Sequence, residues 1–426
     1  MPHSAIRMRS AMELNEAVAA SETLVQRLLD GVAEIGRDPP GITRDAYGPG
    51  ESRAHALLAE TARGMGMEVS VDAGANLSMV WRAADPAGPP VIIGSHLDSV
   101  VQAGNFDGAA GVIAGMGVVA ALQAAGVRPR HDIEVLALRC EEAVWFGLGL
   151  IGSRCLLGRL PEGALELRHA RTGLTLAESI AACGGDPSKL GAPLRVPATI
   201  GAYLEAHIEQ APQLIEAGSP IGICLANPGN LRHPHIRITG EEAHTGLPHR
   251  FRRDAALAGA DLSLSLERLW LAEEAQGRPM AVTIGRFFTP ADRHSLTAVS
   301  GTFEMSLDLR AYSPDHLAAL EPALHRVVAE VEARRGVTID LGPRSAAAPG
   351  PMDPGLIEAL AAAAGQGVPR LNSPGSHDAN NFAASGVPTG MIMVRNRNGS
   401  HNPHEAMDTP DLMAAVGVMA EWLATR

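Results

Sequence analysis

The sequence is poor in cysteine and short of positive charge. Its 426 residues include 4 cysteines and no Cys-x-x-Cys pair, which excludes both a disulfide framework and a thiolate zinc site. Acidic residues outnumber basic ones by 47 to 35, for a net charge of −12. A general nucleic-acid-binding or membrane-surface protein needs the opposite sign. We therefore expect neither nucleic acid nor a membrane as a partner.

Long hydrophobic segments are also missing. No apolar run reaches the roughly 18 residues that a membrane-spanning helix needs. Residues 1–38 mix Arg and Glu with apolar residues, so they lack the apolar core of a signal peptide. With the scarcity of cysteine, these absences predict a cytoplasmic protein. The chain is 46% hydrophobic and 19% charged, a composition that excludes disorder and supports large cores.

The hydrophobic pattern predicts an α/β core. Apolar residues at helical spacing over 12–33 predict an opening helix. Short β-branched runs begin near residue 68 and include a buried strand at 91–93; a helix-compatible stretch follows at 108–125, and another buried run starts at Ile133. Strands that alternate with helices favour a βαβ core with a largely parallel sheet.

The middle of the chain predicts a second domain. Between 236 and 340 the order of patterns is strand, helix, strand, strand, helix, strand, which is typical of a split βαβ domain. From 352 onward the first pattern returns. We therefore expect a catalytic domain over 1–221 and 344–426, interrupted over 222–343 by an inserted α+β domain.

Polar side chains follow the two predicted buried strands. His96 and Asp98 come after the first strand, and a metal-binding imidazole usually donates its other N–H to a carboxylate, so Asp98 is placed to orient His96. Asp107 precedes the next helix, where a helix cap and a carboxylate shared by two cations are both open interpretations. Glu141 and Glu142 end the second strand, at the edge where open α/β sheets place their sites.

Two further histidines, His207 and His401, complete a possible ligand set. Taken singly, each residue is more often an ordinary surface or core histidine. Together with His96, Asp107 and Glu142, they supply the nitrogen and oxygen ligands that zinc, manganese, cobalt or nickel binds. The conjunction, more than any one residue, predicts a metal centre.

A series of short motifs runs through nearly the whole chain. In these motifs the sequence resembles the N-carbamoyl-L-amino-acid hydrolases and allantoate amidohydrolases, within the wider superfamily of dinuclear metal aminoacylases and carboxypeptidases. The motifs that carry the resemblance are Gly94-Ser-His-Leu-Asp-Ser99, Gly104-Asn-Phe-Asp-Gly108, Glu141-Glu142, Ile151-Gly-Ser-Arg154, His207-Ile-Glu-Gln210, Arg252-Arg-Asp254, Asp308-Leu-Arg310, His377-Asp-Ala379 and Ser400-His-Asn-Pro403.

The resemblance implies a dinuclear metallohydrolase core with an inserted lid and dimerisation domain. It implies two divalent metal ions (zinc, manganese, cobalt or nickel). His96, Asp107 and His207 would hold one ion, and Asp107, Glu142 and His401 the other, so that Asp107 would bridge them.

The resemblance also implies roles around these ions. Glu141 would be the general base, and His244 would stabilise the oxyanion from the partner subunit of a homodimer. Arg310 would bind the substrate carboxylate, for which its planar guanidinium is suited. Gln210 and His377 would be further substrate contacts.

The sequence departs from the family's motifs at positions that bear on the substrate. Ala143-Val-Trp-Phe146 replaces the usual Gly-x-Arg-Phe, and Thr297 stands where an asparagine is usual. The segment from His244 to His249 is one residue shorter than usual, and Ala211 replaces a glycine. Trp145 and Thr297 are therefore candidate substrate contacts, although a core-packing role for Trp145 is equally compatible with the sequence.

The leading interpretation is a metal-dependent hydrolase of a linear C–N bond, most simply N-carbamoyl or ureido, in a small carboxylate-bearing substrate. An N-acyl-amino-acid amidase, a dipeptidase, and a metal-dependent amidase or deaminase of an aromatic substrate stay open. Outside this class are a catalytically silent dimeric binding protein and a hydrolase that uses Ser95 or Cys140 as nucleophile. The nucleophile mechanism needs a histidine base that the sequence does not reveal.

Overall fold

In the computed structural model, which describes residues 2–425, the chain divides into two compact units. The first extends to Asn227 and resumes at Met352, and the second is Pro228–Pro351. Both boundaries lie a few residues beyond the expected 222–343. Ile221–Cys224 is a strand of the first unit's sheet, and Ser345–Ala347 is a strand of the second unit's sheet, which accounts for the difference.

Most strands belong to one large sheet in each unit. In chain order these are β1 (Glu68–Val71), β2 (Leu77–Trp81), β3 (Val91–His96), β4 (Ile133–Leu138), β5 (Ala202–Ile208), β6 (Ile221–Cys224), β7 (Gly229–Thr239), β8 (Met280–Thr283), β9 (Phe287–Phe288), β10 (Thr302–Ala311), β11 (Thr338–Asp340), β12 (Ser345–Ala347), β13 (Arg370–Leu371) and β14 (Thr389–Val394). Further two-residue strands are Arg37–Asp38, Gly41–Ile42, Ala226–Asn227, Ala243–His244, Ala298–Val299, Gly350–Pro351, Asn396–Arg397 and Ala406–Met407.

The helices vary widely in length. The α-helices are α1 (Pro2–Gly36), α2 (Pro49–Gly64), α3 (Ala109–Ala124), α4 (Ile151–Leu156), α5 (Leu176–Ala182), α6 (Gln213–Glu216), α7 (Ala255–Glu274), α8 (Pro314–Arg335), α9 (Pro354–Ala364), α10 (Ala379–Ala384) and α11 (Thr409–Ala424). Single 3₁₀ turns are Ala164–Glu166, Pro187–Lys189, Pro197–Thr199, His249–Phe251 and Ala291–Arg293. Within residues 2–425, no helix combines the length and apolarity needed to cross a bilayer.

The sheet of the first unit has eight strands in the order β13-β6-β14-β5-β3-β4-β2-β1. The central run β14-β5-β3-β4 is parallel. At the edges, β2 is antiparallel to β4, β1 is antiparallel to β2, and β6 is antiparallel to β14. The expected α/β class is confirmed, with a mixed sheet that is parallel at its centre. The carboxyl ends of β3, β4 and β5 therefore meet at one edge, where such sheets place their sites.

Packing of the first unit follows from its sequence. Every residue of β3 and β4 is buried, as expected for strands covered on both faces. The glycines and alanines of α3 let that helix approach the sheet closely, since a Cβ at Gly111 would lie 2.2 Å from the carbonyl oxygen of Ala206. The predicted opening helix is part of α1, which packs on α3 and α11.

The second unit is a six-stranded antiparallel sheet with two helices. The strand order is β8-β10-β7-β11, with β9 on β10 and β12 on β7. Burial alternates strictly along β10, so Phe303, Met305, Leu307 and Leu309 face the core that α7 and α8 cover. The order β7, α7, β8, β10, α8, β11 is the one that the sequence predicted.

Candidate metal centre

His96 and Asp98 lie at the carboxyl end of β3. Nδ1 of His96 is 3.3 Å from Oδ1 of Asp98 and 3.0 Å from the Asp98 carbonyl oxygen. The Asp98 carboxylate also accepts backbone N–H bonds from Glu141 (3.0 Å) and Glu142 (3.1 Å). Asp98 thus orients the imidazole of His96, mainly through its carbonyl oxygen, and holds the backbone of the glutamate pair through its carboxylate.

Asp107 lies between three imidazoles at the start of α3. Its Oδ1 is 3.6 Å from Nε2 of His96 and 3.1 Å from Nε2 of His207, and its Oδ2 is 3.3 Å from Nε2 of His401. The next residue, Gly108, has φ of 65°, and a Cβ there would lie 2.3 Å from Nε2 of His96. Only glycine at this position allows Asp107 and His96 to come so close.

Glu142 lies close to His401, which in turn contacts Oδ2 of Asp107. Nε2 of His401 is 3.4 Å from Oε1 of Glu142. The five residues therefore form two groups that share Asp107, one with His96 and His207 and one with Glu142 and His401. Within each group the potential ligand atoms lie within 4.8 Å of one another.

These residues fit divalent cations. Nε2 of His96 and Nε2 of His207 are buried and have no well-aligned hydrogen-bond partner among the described residues, an arrangement that costs about 1–3 kcal/mol per atom. Buried carboxylates converge on the same place, which is costly without a compensating charge. Imidazole and carboxylate donors around each position suit zinc, manganese, cobalt or nickel.

Burial sets the proton affinity of the glutamate pair. It raises the pKa of Glu141 well above the ordinary value, with His96 opposing the rise and Glu142 adding to it. It raises the pKa of Glu142 to about 7, with the Asp107 carboxylate adding to the rise. A carboxyl with a raised pKa can both accept and return a proton near neutral pH, which is what a general base and acid must do.

Gln210 and His377 contact the ligands themselves. Nε2 of Gln210 donates to Oδ2 of Asp107 at 2.7 Å. The ring of His377 lies 4.1 Å from that of His207, centroid to centroid, and its Nε2 is 2.7 Å from Oγ of Ser373. Burial lowers the pKa of His377 well below its ordinary value. Its imidazole is therefore neutral at the edge of the first group.

The sequence interpretation missed Glu405 and Ser400 as supports of Asp107. Oε1 of Glu405 accepts backbone N–H bonds from Phe106 (2.8 Å) and Asp107 (3.2 Å). The Ser400 hydroxyl lies between Oε2 of Glu405, at 2.7 Å, and Oδ2 of Asp107. Both residues stand beside His401 in the chain, so proximity to a proposed ligand was the available signal.

Arg44 is a second support that sequence reasoning missed. This arginine is fully buried. Its Nε donates to the carbonyl oxygen of Leu97 at 2.6 Å and its Nη1 to Oδ1 of Asn105 at 2.9 Å. The guanidinium thereby joins the loop that carries Asp98 to the loop that carries Asp107. No local pattern distinguishes it from a surface arginine.

Trp145 is a core residue. Its side chain is 2% exposed, its Nε1 donates to the Ser99 carbonyl oxygen at 2.9 Å, and its ring stacks on His169 at 5.2 Å. Of the two interpretations that the sequence left open, the structure supports core packing. The tryptophan that replaces the family's usual arginine therefore packs in the interior beside the Asp98 loop, and its indole is not exposed to a substrate.

The nucleophile alternative finds no support. Cys140 is fully buried, and burial raises the pKa of its thiol well above the ordinary value. Ser95 is also fully buried, and its hydroxyl donates to Oε1 of Glu205 at 2.8 Å. Neither side chain is open to a substrate carbonyl, as a nucleophile must be.

His244 and Thr297 share a small ribbon of the second unit. The strands Ala243–His244 and Ala298–Val299 pair antiparallel, with His244 opposite Ala298. The backbone N–H of Thr245 donates to the carbonyl oxygen of Thr297 at 2.9 Å. Both His244 and Thr297 are exposed. The two positions that the sequence singled out are thus near neighbours.

Arg310 lies on β10 in the second unit. It is opposite Asn230 of β7 and Ala281 of β8. Its Nη2 is 3.3 Å from Oδ2 of Asp308, and its side chain is 30% exposed. A guanidinium has the planar geometry that matches a carboxylate.

The chain is similar to known proteins over nearly its whole length. Residues 92–425 match the profile of peptidase family M20/M25/M40. An N-carbamoyl-L-amino acid amidohydrolase of Geobacillus stearothermophilus is 35% identical over 405 residues, covering 93% of this chain and 96% of the relative. The allantoate amidohydrolase of Escherichia coli strain K12 is 28% identical over 408 residues, with 93% and 96% covered. A crystal structure of a hydantoinase/carbamoylase family amidase from Burkholderia ambifaria has a TM-score of 0.81 at 32% identity, covering 95% of this chain and 97% of that one.

Proposed function

The chain belongs to peptidase family M20/M25/M40, and on this premise we propose that it is a metal-dependent amidohydrolase of an N-carbamoyl or ureido C–N bond. The substrate is small and carries a carboxylate. The observation that supports the proposal most strongly is the pair of ligand groups sharing Asp107, with the carboxyl of Glu141, whose side chain is only 12% exposed, beside them. An N-carbamoyl-L-amino acid plus water would give the amino acid, ammonia and carbon dioxide.

Two divalent ions are proposed, one held by His96, Asp107 and His207 and the other by Asp107, Glu142 and His401. When bound, such ions supply Lewis-acid activation of water and of the scissile carbonyl. Zinc, manganese, cobalt and nickel all suit this donor set.

The protein's own residues move the protons. Glu141, whose Oε2 is 3.9 Å from Nε2 of His96, takes a proton from the attacking water and returns it to the leaving nitrogen. Asp98 holds His96 and the Glu141 backbone in place during both transfers. His244 stabilises the developing oxyanion, and Arg310 binds the substrate carboxylate.

An exposed apolar stripe on α7 supports a homodimer. Leu257, Leu264 and Leu271 recur at intervals of two helical turns and are 43%, 54% and 59% exposed. Phe287 and Phe288 of β9 are also exposed in this unit. Exposed apolar patches mark interaction surfaces. The proposed occupant is a second copy of this chain, and the family resemblance implies that His244 acts in trans.

The test is ammonia release from a panel of N-carbamoyl, ureido, N-acyl and dipeptide substrates. Enzyme stripped by a chelator is reloaded separately with manganese, cobalt, nickel and zinc. We expect metal-dependent ammonia release from a ureido compound, and a loss of turnover of roughly 10²- to 10⁴-fold in Glu141→Gln. Glu16→Gln, at an exposed position of α1, is the matched control.

Two results would contradict the proposal. Full activity without metal would exclude the metal mechanism, and full activity of Glu141→Gln would exclude that residue as the base. If the acyl substrates release a primary amine and the ureido substrates do not react, the metal-dependent mechanism would stand, and the substrate would be that of the amidase or dipeptidase alternative. Thr297, which replaces the usual asparagine, would then be the first position to revert.

A further inference from the structure

One cavity of the first unit is lined by none of the candidate metal ligands. It measures about 420 Å³ and is bounded by α2, by β1 and by residues that include Arg139 and Cys183. Arg139 is 4% exposed and stands two residues before Glu141 in the loop after β4. Nothing in the proposed hydrolysis uses this cavity.

The charged residues that line the cavity are both cationic. They are Arg63 and Arg139, and no aspartate or glutamate lines it, although the whole chain has a net charge of −12. Arg139 forms an ion pair with Glu51, with Nη1 2.6 Å from Oε2. Arg63 is exposed, and no ion pair of its side chain is found among residues 13–425, whose side chains the structure describes. Arg63 is therefore available to an anion.

The walls also offer hydrogen-bonding groups. His55 is 5% exposed, and its buried Nε2 has no hydrogen-bond partner among the described residues. Burial lowers the pKa of His55 well below its ordinary value, and a neutral imidazole has one N–H donor and one acceptor. Ser52 adds a hydroxyl on the same helix, which accepts from Nη1 of Arg139 at 3.2 Å.

The remaining walls are largely apolar. Ala56 and Ala59 of α2 face the cavity, as do Val69 of β1 and Leu77 of β2. Small-molecule sites commonly combine apolar walls with a few converging polar groups. A ligand with an ammonium group would lose hydration without gaining a carboxylate partner, which is costly.

We propose that this cavity binds a small organic carboxylate that has an apolar body and no ammonium group. Arg63 pairs with the carboxylate at the rim. His55 and Ser52 are the polar groups of the wall, and the alanines of α2 with Val69 and Leu77 flank the apolar body.

Isothermal titration calorimetry on the metal-loaded, full-length enzyme tests the proposal. The probes are 3-phenylpropanoate and L-phenylalanine, which share a skeleton and differ by the ammonium group. Arg63→Glu reverses the rim charge, and Ala56→Trp fills the cavity from an exposed position. Arg27→Glu, at an exposed position of α1, is the matched control. Thermal melting followed by circular dichroism verifies that each variant is folded.

Binding is assigned to the cavity when it is lost in both Arg63→Glu and Ala56→Trp and retained in the control Arg27→Glu. We expect 3-phenylpropanoate to bind about tenfold or more weakly to Arg63→Glu and to Ala56→Trp than to the unmodified enzyme and Arg27→Glu. We expect no such component for L-phenylalanine. Identical titrations of 3-phenylpropanoate in all four proteins would show that the cavity does not bind this carboxylate. An equal cavity-dependent binding of L-phenylalanine would show that the site does not discriminate against an ammonium group. The calorimetry is independent of which bond the enzyme hydrolyses.

Discussion

The two units hold most of their candidate functional side chains differently. In the first, His96, Asp107 and His207 are buried and fixed by contacts to neighbouring loops and strands, whereas the His401 side chain is 51% exposed. In the second, His244 is exposed on a two-residue strand and Arg310 is partly exposed on a sheet. The fold of the first unit thus brings the candidate metal ligands together. The second presents side chains whose proposed roles depend on a substrate or on a second copy.

The sharpest way to break the first unit's centre is Asp107→Asn, because both ligand groups share this carboxylate. We expect the metal content to fall from two ions per chain to fewer than one. Turnover should fall by more than about 100-fold, because loss of a residue that only supports a ligand already lowers activity by up to about 100-fold. Metal analysis by inductively coupled plasma mass spectrometry measures the first quantity. Asp85→Asn, at an exposed position, should leave both unchanged. Two ions retained in Asp107→Asn would refute the bridging role.

The dependence of the second unit on a partner is tested by Leu264→Glu. A charge in the middle of the stripe on α7 should convert a dimer to a monomer in sedimentation velocity. If His244 acts in trans, turnover should fall about 10²- to 10³-fold, as when an oxyanion donor is lost. Metal content should be unaffected.

Leu174→Glu is the matched control, since Leu174 is 45% exposed in the first unit. A Leu264→Glu monomer with full activity would show that no residue is supplied in trans. A dimer that persists in Leu264→Glu would place the interface elsewhere.

A smaller effect is expected from Arg310→Gln. Loss of a charge-assisted hydrogen bond to the substrate carboxylate should lower kcat/KM by about 10- to 100-fold with two ions still bound. Steady-state kinetics on the best ureido substrate measures it. Arg237→Gln removes an exposed arginine of β7 that pairs with Glu304 at 2.9 Å and should have no comparable effect. An unchanged kcat/KM in Arg310→Gln would remove this residue from the substrate site.

The smallest effect concerns stability. Trp145→Phe removes the 2.9 Å hydrogen bond to the Ser99 carbonyl oxygen and should lower the free energy of unfolding by about 1 kcal/mol, with substrate preference unchanged. Chemical denaturation measures the shift. Trp270→Phe, which removes an exposed bond to Glu274 at 2.8 Å, should change stability less. A change in substrate preference in Trp145→Phe would return this residue to the substrate pocket.

Much of the fold could be predicted because its patterns are local. The buried runs at β3 and β4, the helical spacing of α7 and α8, and the order of elements in the second unit all follow from periodicity. The family resemblance inferred from the motifs is confirmed by the profile match over residues 92–425 and by the amidohydrolase relatives. The mixed direction of the first sheet was not predicted, since strand pairing at its edges depends on partners distant in the chain.

Residues that act through distant contacts could not be predicted. Arg44 looks like any arginine in the sequence, yet it is fully buried between the loops of Leu97 and Asn105. Glu405 lies close to His401 in the chain, but its bonds to Phe106 and Asp107 cross almost 300 positions. Such contacts have no signature in local spacing.

Local patterns were enough to identify the donors of this protein and those that follow buried strands, because hydrophobic periodicity and residue chemistry can be read from short segments. The convergence of His96, His207 and His401 on Asp107 and the burial of Trp145 became visible only in the fold. The physical reason is that parallel pairing of β3, β4 and β5 brings their carboxyl ends to one edge. The register of that pairing depends on long-range packing that no single segment encodes.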